Sequence, residues 1–112
     1  MTRYASITQV KEDKLEAYKA LHAEPWPGVL RMIEASHIRN YSIFWKQLPD
    51  GTHVLFSYFE YTGDNWEEDV QKMAADEETR RWWDVCKPCL TAVEALPEGE
   101  VWAPMQSVFY HP

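Results

Sequence analysis

The sequence predicts an α+β fold with the element order β-α-β-β-α-β. Three observations lead there. A β-rich run over residues 3–10 gives way to helical spacing, and two aromatic and β-branched runs flank the turn signal Pro49-Asp50-Gly51-Thr52. A second helical stretch then precedes a closing run containing Val108, Phe109 and Tyr110. At 112 residues the chain has the size of one domain, taken as 1–112, and is long enough to bury a real core.

The elements follow in order. Residues 3–10 read as a strand, and over 11–22 Leu15, Tyr18 and His22 recur at helical spacing. Pro25 and Pro27 interrupt that helix. Because proline is tolerated in a first turn, Pro27 is expected to start a second helical piece running to about Ser36. Residues 38–48 and 53–61 should pair as a hairpin. Residues 64–75 and 77–96 look helical, and Pro88 should kink or divide the second stretch because it lacks the N–H needed by residue 84. A loop over 97–104 leads to an expected strand at 105–111. This order is the ferredoxin-like split pattern.

Neither alternating set of the two central strands is purely polar. Arg39, Tyr41, Ile43 and Trp45 form one set and Asn40, Ser42 and Phe44 the other, and the next strand repeats the mixture. Helices cover only one sheet face in this topology, so the apolar residues on the other face need a second sheet. A homodimer through the sheets, of the dimeric α/β barrel type, is the expectation.

Net charge of −7 and a sequence pI near 5.0 argue against nucleic-acid and anionic-membrane partners, which the average field would repel. No apolar stretch reaches the roughly 20 residues of a membrane span, and the opening residues lead into no signal-peptide core, so a cytoplasmic location is expected. Cys86 and Cys89 form a CxxC spacing after a helical run rather than after a strand, and no second cysteine pair completes a zinc tetrahedron. There is no Ser/His/Asp signature, no phosphate-binding glycine loop and no dinucleotide fingerprint. His37, His53 and His111 show no metal-ligand spacing. Neither metal nor cofactor is expected.

Six Trp and six Tyr exceed what packing alone recruits in so short a chain. Indole faces suit the C–H face of a sugar ring, whose hydroxyls then need few polar partners. Trp82 and Trp83 stand side by side after Arg80 and Arg81, while Tyr18 and His22 lie four apart on one helical face. His22 is the candidate catalytic group, since imidazole can both give and take a proton near neutral pH. The competing reading is a core histidine satisfied by one hydrogen bond. Neighbouring helical residues point about 100° apart, so one of the two indoles could belong to the core. The arginines read as a solvated face, and the acidic clusters at 67–69 and 76–78 as helix starts that need no catalytic role.

These residues carry a family resemblance. Tyr18 and His22, Trp26-Pro27, Asn40-Tyr41-Ser42-Ile43, Arg81-Trp82-Trp83 and Val108-Phe109-Tyr110 stand in one order over nearly the whole chain. In them the chain resembles the L-rhamnose mutarotases, which interconvert the α and β anomers of a free 6-deoxyhexose. The resemblance implies a ferredoxin-like dimer without metal or cofactor, with His22 matching the proton donor. It also implies that Tyr18, Tyr41, Trp82 and Trp83 match substrate-binding positions. The chemistry would be ring opening, His22 donating to the ring oxygen while Tyr41 or Tyr18, directly or through water, handles the anomeric hydroxyl. Two other readings of the same residues stay open. One is a haem-binding or cofactor-free oxygenase on the same dimeric scaffold, with His22 then an iron ligand in the haem case, and the other is a sugar-binding module without catalysis.

Overall fold

The computed structural model describes all 112 residues. Thr2–Val10 forms β1, and a single 3-10 turn at Glu12–Lys14 leads into helix α1, Leu15–Ala23. Pro25 ends that helix. Helix α2, Pro27–Ala35, starts with proline at its first position, where a missing N–H costs nothing. β2, Ile38–Gln47, and β3, His53–Tyr61, pair antiparallel around the expected turn, in which Gly51 adopts φ 91°. Helices α3, Trp66–Ala75, and α4, Glu77–Cys86, start on side-chain caps. Asn65 Oδ1 accepts from the Glu68 N–H at 3.1 Å, and Asp76 Oδ2 accepts from the Thr79 N–H at 2.9 Å.

Two expectations need correction. The helical stretch 77–96 stops at Cys86, because Pro88 falls inside a 3-10 turn, Lys87–Cys89, after which Leu90–Thr91 forms the short strand β4. Residues 105–111 form no strand: the last ladder is β5, Ala103–Pro104. On that side of β1, Gln9–Val10 pairs with β4 and Ser6–Ile7 with β5. The Met105 N–H still bonds the Ala5 carbonyl at 2.9 Å, but past it the tail forms no further ladder, and Tyr110 instead lies under the Arg3 guanidinium at 3.6 Å. Val108 and Phe109 are left 94% and 81% exposed.

The sheet order is β2-β3-β1-β4, with β5 also on β1. This is the order of a split β-α-β fold in which β4 rather than the tail supplies the fourth strand. The core lies between the helices and one sheet face, where Val10, Leu55 and Leu90 meet Leu15, Tyr18, Val29 and Trp82. Thr8 is fully buried, and its hydroxyl donates to the Val101 carbonyl at 2.6 Å, fastening the loop before β5 to the sheet. No helix is long and apolar enough to cross a membrane.

Register decides which β2 residues meet the helices. Arg39 pairs with Glu60 and Ser42 with Tyr58, so β2 carries one extra residue, a bulge at which Asn40 takes φ 52°. Asparagine tolerates that left-handed conformation better than most residues. The extra residue separates Arg39 from the set Tyr41, Ile43 and Trp45. Tyr41 packs over Phe59 at 5.4 Å, Ile43 packs against the core, and Lys19 of α1 sits 4.0 Å above the Trp45 ring. Phe44 pairs with Phe56, and Phe56 with Ile7, on the opposite, helix-free face.

Candidate active site

The helices and the covered sheet face enclose a cavity of about 360 Å³, toward the small end of ligand pockets. Its walls are aromatic and aliphatic, and His22, Thr79 and Lys87 are the only lining residues outside that class. An apolar cavity with few convergent polar groups binds by shape and lets each polar contact fix orientation.

His22 lies one turn after Tyr18 on α1. Its Nδ1 is 2.8 Å from the Tyr18 carbonyl oxygen. A carbonyl can only accept, so Nδ1 carries a proton and Nε2 is the nitrogen left for a ligand. The ring stacks on Tyr18 at 4.2 Å and meets the edge of Trp82 at 5.1 Å. Burial among these rings lowers the His22 pKa from its ordinary value, and the bond to the Tyr18 carbonyl offsets this in part. At neutral pH the imidazole is therefore mostly uncharged.

Tyr18 and Tyr41 approach the cavity from opposite elements. Burial pushes the Tyr18 phenol upward, helped by the nearby Tyr41, Cys86 and Cys89. Tyr41 reaches inward from the β2 bulge. Its phenol end is desolvated and its pKa raised, although the residue as a whole remains 44% exposed. Both phenols stay protonated at neutral pH and can donate or accept hydrogen bonds without ionising.

Trp82 and Trp83 both line the cavity despite their different directions. Trp82 is buried, with its edge against Trp26 at 5.2 Å as well as against His22. Trp83 is half-buried and also borders an outer cleft with Arg80, Arg81 and Lys87. The expected division of labour is thus graded: one indole belongs to core and wall together, the other to the mouth.

All five residues singled out in the sequence, His22, Tyr18, Tyr41, Trp82 and Trp83, converge on this one cavity. The remaining histidines lie elsewhere. His37 Nδ1 bonds Asp69 at 2.9 Å, and His53 accepts from the Trp45 indole at 3.2 Å. No group of three or more His, Cys, Asp or Glu side chains is assembled as a metal site.

Sequence reasoning missed Phe59, Trp66, Cys86, Lys87 and Trp102, which line the same cavity. For Cys86 a signal existed: it falls four residues after Trp82 on the same face of α4. Burial pushes its thiol up to about 12, so it contributes an uncharged wall. Trp102 had no local signal, because it arrives through the loop that Thr8 holds.

Comparison with known proteins gives the family. A family model described as L-rhamnose mutarotase matches residues 3–111. An L-rhamnose mutarotase of Bacillus subtilis is 39% identical over 90 residues, 80% of this chain and 81% of that protein. One of Shouchella clausii is 30% identical over 110 residues, 98% of each. The crystal structure of an L-rhamnose mutarotase from Formosa agariphila superposes with a TM-score of 0.75 at 25% identity, covering 100% of both chains. The chain belongs to the L-rhamnose mutarotase family of anomer-interconverting isomerases.

Proposed function

We propose that this protein interconverts the α and β anomers of a 6-deoxyhexose, L-rhamnose first, by acid-base ring opening with His22 as proton donor. The observation that carries the reading is the His22 ring itself: Nδ1 is committed to the Tyr18 carbonyl, and Nε2 is free in an otherwise apolar, aromatic cavity. Such walls favour a neutral sugar with a methyl group, and the net charge of −7 adds no attraction for an anion.

In the reaction the anomeric hydroxyl loses a proton while the ring oxygen gains one. The C–O ring bond breaks, and the aldehyde end rotates before reclosing. In its imidazolium form, with Nδ1–H held by the Tyr18 carbonyl, His22 donates the Nε2 proton to the ring oxygen and recovers it on closure. Tyr41 or Tyr18, kept protonated by burial, orients the anomeric hydroxyl and relays its proton directly or through water. Trp82 and Trp83 hold the sugar's C–H face. No step calls on a metal or cofactor.

Anomer exchange followed by saturation-difference proton NMR, with L-rhamnose and L-fucose in parallel, tests the reading. Accelerated exchange of L-rhamnose is expected, and exchange of L-fucose as well would extend the substrate range to other 6-deoxyhexoses. Tryptophan quenching by either sugar without exchange would overturn catalysis in favour of sugar binding alone. The pH profile tests the role of His22. As donor it is active when protonated, and its pKa is lowered, so kcat/KM should fall with rising pH through a value below 6.5. A rise through that range would make His22 the base.

We also infer that one catalytic domain spans the chain, works in the cytoplasm and pairs with a second copy through the helix-free sheet face. Phe44, 63% exposed beside Phe56, supports the pairing, as do the uncovered Val108 and Phe109. Light scattering should give twice the 13.2 kDa chain mass, and Phe44→Glu should halve it. A monomeric wild type would overturn the pairing.

A further inference from the structure

The N-terminus of α2 lacks a side-chain cap of its own. Trp26, at the cap position, makes no such bond, and Pro27 has no N–H to offer. The space that a side chain at residue 28 would fill is taken from another helix. A Cβ built on Gly28 would lie 1.7 Å from Glu78 Oε2 and 2.5 Å from its carboxyl carbon. That oxygen is buried and has no hydrogen-bond partner. Glycine at 28 leaves that space to the Glu78 carboxylate: the backbone there is ordinary helix, and an added Cβ would have to push the end of that side chain aside.

We propose that Glu78 is a positioning residue for the reaction: its carboxylate, wedged against Gly28, locks the start of α2 to α4 and so sets the Trp26–Trp82–His22 contact run. Glu78 lies in the first turn of α4, where a carboxylate suits the positive end of that helix, and its own end reaches the first turn of α2, with Arg31 and Asp76 sharing the cleft. Trp82 follows four residues later on the same side of α4. Trp26 immediately precedes Pro27-Gly28, and its ring meets the edge of Trp82 at 5.2 Å, which in turn meets His22 at 5.1 Å. A shift of α2 against α4 is thereby passed by two ring contacts to the imidazole. Met32, one turn further along α2, borders both the Glu78 cleft and the sugar cavity, giving the same movement a second route to the wall.

The proposal rests on the mutarotase reading, so the test carries one readout that needs no activity. Glu78→Ala should lower kcat roughly ten- to a hundredfold with KM changed much less, as for a misplaced catalytic group. It should also alter the near-ultraviolet circular dichroism of the Trp26–Trp82 pair, with Trp26→Phe as reference. Gly28→Glu alone should be worse, because two side chains would compete for one space. The exchange Gly28→Glu with Glu78→Gly returns a carboxylate to that space from the other helix and should recover much of the lost kcat and the Trp signal. Wild-type kcat in Glu78→Ala, or a loss confined to melting temperature with the Trp signal unchanged, would overturn the proposal. If wild type exchanges no sugar, the mutarotase reading fails by itself, and the Trp signal of the exchange variant still decides the clamp.

Discussion

Replacing His22 by Ala removes the one group in the cavity able to titrate near neutrality. General acid-base catalysis is worth about 10²–10⁴-fold, or about 3–5 kcal/mol of barrier, and anomer exchange should fall by that factor. The structural cost is separable. The variant loses a stack on Tyr18 at 4.2 Å, an edge contact with Trp82 at 5.1 Å and a 2.8 Å bond to the Tyr18 carbonyl. At about 0.5–1.5 kcal/mol for each aromatic pair and about 1 for the bond, less about 0.5 for alanine's better helix propensity, the net is about 2.5 kcal/mol. That corresponds to a melting temperature lower by roughly 10–15 °C. The Tyr18 carbonyl keeps its place in the helix ladder, so no buried group is stranded. The assay is saturation-difference NMR well below the melting temperature, with sugar affinity taken from tryptophan quenching. Affinity should hold within a few fold. A His22→Ala protein that binds sugar and exchanges anomers at more than about a tenth of the wild-type rate would refute His22 as the proton carrier.

Trp83→Ala, at the cavity mouth, should raise KM by about 2- to 10-fold with kcat nearly unchanged, and a fall in kcat at constant KM would reassign it to the transition state. Leu55→Ala, at a site 2% exposed in the centre of the core, should cost about 2–5 kcal/mol in urea unfolding, and a loss below about 1 would contradict the packing. Asp69 is held down at about 2 by hydrogen bonds from Tyr61, at 2.5 Å, and His37, with Lys72 alongside. Because its folded pKa lies below its ordinary 3.8, its contribution is complete above that value and lost as pH falls toward 2. Wild-type melting temperature should drop through this window, and the drop should be smaller in Asp69→Asn; equal slopes would remove Asp69 from acid unfolding.

Much of this was legible in the chain because it is local. The Tyr18–His22 pairing follows from helical spacing, the β2–β3 hairpin from Pro49-Asp50-Gly51-Thr52, and the α2 start from Pro27. Each depends on residues within a few positions of one another. Tyr41 was identified by resemblance, but its arrival on the helix-covered face was not local. Simple alternation groups it with Arg39, and only the bulge at Asn40 separates the two.

The tail shows the other limit. Val108-Phe109-Tyr110 has strand chemistry, yet the ladders on that side of β1 are made by Leu90–Thr91 and Ala103–Pro104, segments with less strand character of their own. The same holds for Trp102, carried to the cavity by a loop that Thr8 fastens from 93 residues away, and for Glu78, whose carboxylate fills the space of residue 28. The sequence by itself determined the order of elements up to α4, the faces of the helices and the candidate set His22, Tyr18, Trp82 and Trp83. The tertiary structure alone decided which strand closes the sheet, which way Tyr41 turns and which distant side chains complete the cavity. Local propensity acts through neighbours in the chain, whereas hydrogen-bond ladders and packed volume are shared among residues far apart in sequence, and each edge or space admits one occupant.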